Sequence, residues 1–508
     1  MLPLTLAEVA TAVGGELRGA DGALTVRGVS TDTRRLRPGD LFVALRGERF
    51  DGDEFAARAL AAGAAAVLVR RETAAALGDG RPCVAVDDGV AALGALARAV
   101  RRGAGIKVVG ITGSAGKTST KDILAALLRP VARVVATHGN LNNEVGLPLT
   151  LLEVERSTEV AVVEMAMRGP GQIRELAAIA EPDVAVITNV APVHLELVGG
   201  IEDVAAAKAE ILEGLGPGTA VVPGDEPLLD AHLRRHAGRV VTFGTPQSDV
   251  HLVEAEARGS GTHVLVDSFG RRGSVDFNFG GEHYLRDAQA ALAAFLELGY
   301  RLDEARPGAA AVTFSELRGE IVALHGGGLL LDDSYNANPA ATRAALDHLV
   351  ALAAGRPAIA LLGDMRELGP EAPAYHRAVG EYAARAGVQV VAAGELARHY
   401  LCGAPHEVWF ASVEELIAAL PGALAPGSAV LVKASRALAF ERVAAAVKEA
   451  YPPAANAGEA GAGPGTEPAA AKEPAAARAE DAAPAASGDG PAPDTRQAAP
   501  PETTRGVD

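Results

Sequence analysis

The run Val108-Val109-Gly110-Ile111-Thr112-Gly113-Ser114-Ala115-Gly116-Lys117-Thr118 is an apolar strand that breaks into a glycine turn and ends in Lys-Thr, where a helix opens. That order of elements predicts a phosphate cradle. Glycines let backbone N–H groups face an anion, a helix N-terminus adds positive potential, a lysine supplies a mobile cation, and a threonine hydroxyl can ligate Mg²⁺. ATP is the expected guest, with Gly113, Ser114, Ala115, Gly116, Lys117, Thr118 and Ser119 around its phosphates. The strict phosphate-loop pattern has a glycine where this chain has Ile111, so the motif is a shortened relative in which Gly113 and Gly116 make the turn.

Outward from this loop the pattern continues as strand, helix, strand. Over 86–310 the apolar runs KVVGIT, VARVVAT, EVAVVEM and DVAVITNV alternate with helical stretches at 122–128 and 171–180. Near-continuous β-branched runs separated by helices predict a parallel sheet covered on both faces, hence an α/β fold. Residues 1–85 read as a smaller α/β unit, with a Pro-Gly-Asp turn at 38–40 feeding a strand, and residues 311–450 as a third α/β segment. From 451 to 508 the composition turns to Ala, Pro, Gly and Glu with few large apolar residues, which predicts a disordered tail.

Composition narrows the function class. At 508 residues, and with about 150 residues per domain, roughly three folded units are expected. The net charge of -17, of which the tail carries about -5, argues against a nucleic-acid partner held through phosphates. Small molecules are the expected partners. Cys83 and Cys402 lie far apart with no metal-ligand spacing, and both are expected to be core thiols. No run of about 18 apolar residues occurs and the N-terminus lacks a basic leader, so a soluble, cytoplasmic protein without membrane insertion is expected.

In open α/β sheets ligands gather at the carboxyl ends of strands, so the polar residues that follow each strand carry the chemistry. Glu164 and His194 both follow strands and, beside Thr118, would complete a shell for Mg²⁺ bridging phosphates. Read singly, a histidine after a strand is more often a hydrogen-bonded structural residue. Lys208 sits on an alanine-rich helix and by itself is expected in solvent; as a carbamate it would become an anionic metal ligand. Asp332-Asp333-Ser334-Tyr335-Asn336-Ala337-Asn338-Pro339 packs more hydrogen-bonding groups behind a strand than a helix cap needs, although Asn338 or Thr342 would serve as the cap. Gly363-Asp364-Met365-Arg366-Glu367-Leu368-Gly369 offers a charged loop to the same edge. Asn140, Asn142 and Asn143 form an amide-rich loop suited to peptides and sugars, or to left-handed turns. Ser30, Thr31, Asp32 and Arg34 would either grip a second phosphate group or form a solvated loop.

Together these motifs resemble the Mur ligases. TGSAGKT at 112–118 is similar to their ATP loop, and residues 30–55 resemble the uridine-nucleotide domain of the members that add the third and fourth building blocks. DDSYNANP and GDMRELG resemble the member that adds D-alanyl-D-alanine, and Lys433-Ala434-Ser435-Arg436 resembles the family's KGSR. The likeness spans about 1–450. It implies three domains: a UDP-substrate domain (1–85), a central ATPase domain (86–310) and a Rossmann-like ligase domain (311–450). It also implies ATP and Mg²⁺ as cofactors, UDP-N-acetylmuramoyl-tripeptide and D-alanyl-D-alanine as substrates, and a monomer.

By the same resemblance Lys117, His194, Lys208, Arg318 and Asp333 would be catalytic, and Thr118, Glu164, His194 and carbamylated Lys208 would serve the metal. His283, Asp287, Arg318 and Asp333 would join the phosphate loop around ATP. Ser30, Thr31, Asp32, Arg34, Asn140, Asn142, Asn143, Asn336 and Asn338 would contact substrates. Where the family writes G-x-H-N-x-x-N, this chain has Tyr284 and Asp287 in place of the two asparagines, and Asp287 keeps an acceptor oxygen. The implied reaction is amide formation through an acyl phosphate. A related ligase adding a diamino acid or a glutamate, and a protein that uses ATP only as a switch, are the alternatives.

Overall fold

The computed structural model describes residues 1–454 apart from 48–49, 260, 404–406 and 426. Over these residues the chain forms three larger sheets in succession. The first contains β1 (Glu16–Arg18), β2 (Val29–Ser30), β3 (Leu41–Val43), β4 (Ala66–Arg70) and β5 (Cys83–Val86), in the order β1-β5-β4-β3-β2. β1 is antiparallel to β5 and the other pairs are parallel. Alternate residues enter opposite cores, Leu41, Val43, Leu68 and Val84 on one side and Phe42, Val67, Val69 and Cys83 on the other. Period-2 alternation with both faces apolar is what a covered sheet requires.

The second sheet comprises β6 (Lys107–Thr112), β7 (Val134–Ala136), β8 (Val160–Glu164), β9 (Val184–Ile187), β10 (Thr219–Pro223), β11 (Val240–Phe243), β12 (Val250–Arg258), β13 (Gly261–Ser268) and β14 (Arg271–Phe277). Its order is β14-β13-β12-β11-β10-β9-β6-β8-β7. The chain leaves β6 toward the β7 edge and returns to place β9 on the other flank of β6, so the phosphate loop sits at a topological switch point. The expected parallel sheet runs from β7 to β12 and carries an antiparallel extension, in which β12, β13 and β14 are joined antiparallel. β13 alternates between buried and half-buried residues, the mark of a strand covered on one face only. Around the loop, helix α1 (Gly89–Ala104) bridges the first two sheets. Helix α2 (Lys117–Leu128) opens at Lys117, as the turn predicts, and includes the helical stretch at 122–128; Gly116 provides the left-handed entry. α3 (Gln172–Ala180), α4 (Ile201–Ala209) and α5 (Glu282–Glu297) complete the cover, and the buried alanines of α5 let it pack closely along α2.

The third sheet holds β15 (Glu320–Ala323), β16 (Leu329–Asp332), β17 (Ala358–Gly363), β18 (Gln389–Ala393), β19 (Val408–Phe410) and β20 (Ala429–Lys433), in the order β15-β16-β20-β17-β18-β19. All pairs are parallel except β15 with β16. Helix α6 (Pro339–Ala353) follows β16. The expected tail is ordered at its start: His325 N donates to Pro452 O (2.7 Å) and Ala454 N to Ala323 O (2.9 Å), extending the β15 edge. Its remainder, 455–508, lies outside the described residues. Cys83 is a core thiol as expected, whereas Cys402 is at the surface, in a loop where no apolar layer covers it, with Sγ 3.2 Å from Glu407 Oε1.

Candidate active site

A cleft of about 1490 Å³ is lined by the loops after β6, β7, β8 and β9 of the second sheet and after β16, β17, β18 and β20 of the third. Two sets of strand carboxyl ends therefore face one space, which is where α/β folds place ligands.

The phosphate loop is built by close packing. Gly113 and Gly116 have φ of 146° and 77°, and a Cβ on them would lie 1.9 Å from Thr188 Oγ1 and 2.2 Å from Asp287 Oδ1 respectively. Only glycine fits either position. Asn189 Oδ1 accepts from Ser114 N (3.1 Å) and Ala115 N (2.9 Å), Ser114 Oγ donates to Ala191 O (2.9 Å), and Thr188 Oγ1 donates to Ala115 O (2.5 Å). The first amide of α2 with an intrahelical acceptor is Thr120 N, bonded to Gly116 O at 2.8 Å. The N–H groups before it are the open donors of the first turn, where an anion is favoured. Lys117 Nζ spans the loop to Gly113 O at 2.8 Å. Its burial pulls the ammonium pKa down, with Arg318 adding to the shift while Glu164 and Asp287 oppose it. A polyphosphate would restore the missing counter-charge, so the loop fits ATP.

Glu164 is 1% exposed at the end of β8. Its Oε2 accepts from Thr118 Oγ1 (2.8 Å), its Oε1 from Asn142 Nδ2 (2.8 Å), and its own N–H is fixed by Thr137 Oγ1 (2.9 Å). Thr118 and Glu164 thus make an oxygen corner beside the loop. Among the described residues no group of three or more His, Cys, Asp or Glu is arranged to hold a metal. A corner with one carboxylate suits Mg²⁺, which takes one or two protein carboxylates and fills its octahedron from phosphates and water.

His194 stands in the left-handed region (φ 55°) at the start of a short helical turn. Its Nδ1 lies 2.5 Å from Glu367 Oε2, and Glu196 N donates to Glu367 O at 3.4 Å, so this corner ties the second sheet to the third. Burial pulls the His194 pKa down; Glu367 opposes that, and Lys208 and Lys117 add to it. The bare-sequence expectation that Lys208 faces solvent is overturned: α4 lies against the core and leaves the side chain 1% exposed. Burial first, and then Lys117, push its ammonium well below the usual lysine range, with Glu210 opposing.

On the opposite wall, buried Lys433 forms an ion pair with Asp333 and donates to Asn336 O at 2.9 Å. Arg436 N donates to Asn336 Oδ1 (3.4 Å), and Arg318 lies over the Tyr335 ring at 3.9 Å. Asn338 caps α6, its Oδ1 accepting from Ala341 N at 2.8 Å, while still lining the cleft. Asn140 and Asn143 also line it, and Asn143 Oδ1 accepts from Gly146 N at 2.9 Å.

Ser30, Thr31, Asp32 and Arg34 are not among the cleft residues. Ser30 Oγ donates to Asp32 O (2.8 Å), and Arg34 pairs with Asp32 on the first sheet's loop (2.7 Å). His283 sits between Tyr284 and His348, with ring centroids 3.9 and 5.5 Å away, and burial holds its pKa down to about 3. Tyr284 stacks on Phe314 (4.6 Å), and its Oη donates to Arg318 O (3.1 Å), fixing the connection that carries Arg318 to the cleft. Sequence reading missed Asn189 and the Tyr284–Arg318 tie. The strand-end rule that selected Glu164 would have selected Asn189, two residues after β9.

Asp287 is 9% exposed against the phosphate loop. Burial raises its pKa well above the usual carboxylate value, against the pull of Arg286, Ser119, Arg318 and Lys117. A raised folded-state pKa gives a stability contribution that is fully present below the unfolded pKa and is lost as pH rises through the folded one. Replacing Asp287 with Asn removes that loss. The variant is therefore expected to be more stable than the parent, by a margin that grows from pH 4 to neutral, as read from urea midpoints at several pH values.

Three family models match the chain: the Mur ligase family, catalytic domain over 25–101, the Mur ligase middle domain over 111–295, and the Mur ligase, glutamate ligase domain over 317–436. The UDP-N-acetylmuramoyl-tripeptide--D-alanyl-D-alanine ligase of Escherichia coli is 36% identical, covering 88% of this chain and 99% of that protein. Among solved structures, MurF from Acinetobacter baumannii superposes with a TM-score of 0.81 at 31% identity, covering 88% of this chain and 99% of that one. MurF ligase from Thermotoga maritima in complex with ADP gives a TM-score of 0.75 at 31% identity, covering 84% of this chain and 98% of that one.

Proposed function

The chain belongs to the Mur ligase family, and from that premise we infer that it is the ATP-dependent ligase that joins D-alanyl-D-alanine to UDP-N-acetylmuramoyl-tripeptide, a step of peptidoglycan precursor synthesis. The observation that carries the reading is the cleft itself, with a phosphate loop on one wall and the DDSYNANP and GDMRELG loops on the other. A ligase must hold ATP and two further substrates around one reacting carbon. The tripeptide carboxylate attacks the γ-phosphate, releasing ADP and leaving an acyl phosphate. The dipeptide amine then attacks the acyl carbon, phosphate departs with one carboxylate oxygen, and the amine loses its protons.

Phosphoryl transfer is chiefly positioning and neutralisation of charge. Lys117 leaves Gly113 O to meet the phosphates, and the open N–H groups of α2 hold them. Thr118 and Glu164 would hold Mg²⁺, which when bound neutralises and orients the phosphate oxygens. Burial and Lys117 lower the Lys208 pKa and so favour the neutral amine that CO₂ addition needs, and as a carbamate Lys208 would extend the metal shell. Arg318 and Asp333 come from the far wall, so they reach ATP only when the two walls face each other. His283 and Asp287 lie toward the nucleotide, while Asn140, Asn142 and Asn143 face the nucleotide-sugar substrate and Asn336 and Asn338 the dipeptide.

Ser30, Thr31, Asp32 and Arg34 belong to the far end of that nucleotide-sugar on the first domain. We take the domains as 1–85, 86–310 and 311–450. Both walls come from one chain, which supports a monomer as the working unit. No helix of the described residues is long and apolar enough to cross a membrane; the need for ATP and UDP-linked substrates supports a cytoplasmic location.

The test is phosphate release by the full chain with ATP and Mg²⁺, with each substrate alone and both together, followed by mass spectrometry. Release that needs both substrates, with a UDP-muramoyl-pentapeptide product, is expected. Steady ATP hydrolysis with neither substrate and no new amide would reject the reading.

A further inference from the structure

The dipeptide that this function requires carries a carboxylate that takes no part in the reaction, and recognising it is how a site would tell the dipeptide from other amines. Most cations lining the cleft are already engaged. Lys117 is bonded to Gly113 O (2.8 Å), Lys433 to Asp333, Arg286 to Asp225 and Arg436 to Glu441 (2.7 Å), while Arg318 lies over Tyr335. Arg168 and Arg366 line the cleft with exposed side chains and no acceptor for their guanidinium groups among the described residues.

Arg168 belongs to the loop after β8, on the wall with Asn142 and the phosphate loop. Arg366 stands on the other wall, in a loop pinned on every side. Asp364 Oδ1 accepts from Leu396 N (2.9 Å) and Ala397 N (2.8 Å), and Met365 N donates to His376 Nε2 (2.9 Å). Arg366 N donates to Ser435 Oγ (2.8 Å), and Glu367 meets His194 (2.5 Å). The backbone of Arg366 is therefore fixed while its head remains available. Ala337, Ala340, Ala341 and Ala344 line the same cleft and offer only methyl groups, leaving room for small side chains.

Resting on the function proposed above, we propose that Arg366 binds the free carboxylate of the incoming dipeptide and so makes the enzyme selective for a zwitterionic nucleophile. A guanidinium matches a carboxylate in bidentate geometry, which a lysine does not reproduce. Because Glu367, the next residue, reaches the second sheet, a dipeptide anchored at Arg366 extends its amine toward the seam between the two walls, where the acyl phosphate forms.

The experiment measures initial rates of the full chain with D-alanyl-D-alanine and with its C-terminal amide, for the parent, R366A, R366K and R168A. The parent is expected to favour the acid over the amide by about 10–100-fold in kcat/KM, the range for one charge-assisted bidentate pair. R366A should raise KM for the acid by that factor, leave KM for ATP and the rate with the amide unchanged, and so erase the preference. R366K should recover part of it and R168A should keep it. A preference that survives in R366A, or collapses in R168A instead, overturns the inference, as does an equal loss with both nucleophiles, which would mark a structural role. If the parent makes no amide product from the dipeptide, the function reading fails and takes this inference with it.

Discussion

Replacing Lys117 with alanine is expected to lower ATP-dependent amide formation by about 10³-fold or more, the scale for removing a cation that meets transferring phosphoryl charge. Three observations lead to that size. Lys117 is the cation of the phosphate loop itself, it is held over that loop by Gly113 O at 2.8 Å, and it lines the cleft half-buried, facing the space where the phosphates would lie. The same change removes the charge that depresses Lys208. Phosphate release with both substrates present measures the effect, and an unchanged urea unfolding midpoint of the same variant shows that the fold is intact. A loss of less than tenfold would mean that the loop does not carry the reaction.

The second large effect is on stability. Lys433→Met should destabilise the third sheet's domain by about 3 kcal/mol, because removing one member of a buried ion pair leaves the other charge uncompensated. Lys433 has a side-chain exposure of 3% and Asp333 of 17%, so Asp333 keeps some access to water, which places the cost at the lower end for such pairs. Asn336 O also loses its donor. Urea unfolding of parent and variant measures the difference; equal midpoints would show that the pair is energetically idle.

How much of this was legible in the sequence follows from distance along the chain. The phosphate loop could be read because strand, turn, lysine and helix are contiguous over 108–118, and its glycines declare their own backbone requirement. Glu164 and Asp333 were legible by the weaker rule that strand ends carry chemistry. The pairing of His194 with Glu367 joins residues 173 positions apart, and that of Lys433 with Asp333 joins residues 100 apart, so no local pattern announces either. Lys208 was misjudged as a bare residue because the alanines around it look like a solvated helix face, whereas small side chains are what allow that helix to lie flat on a core. The antiparallel β12–β14 ribbon was open to reading, since its alternation is written plainly in THVLVDS, but the preceding strands imposed a parallel expectation. Residues 30–34 kept both of their readings, because a loop of hydroxyls and paired charges looks the same whether or not a ligand follows.

The central claim is that a substrate carboxylate is activated by phosphorylation in the cleft between the two walls. Supplying UDP-N-acetylmuramoyl-tripeptide labelled with ¹⁸O in its terminal carboxylate, together with ATP, Mg²⁺ and D-alanyl-D-alanine, and analysing the released phosphate by mass spectrometry, tests it directly. The account predicts that each phosphate carries one labelled oxygen from the carboxylate; unlabelled phosphate, with amide product still forming, would contradict it.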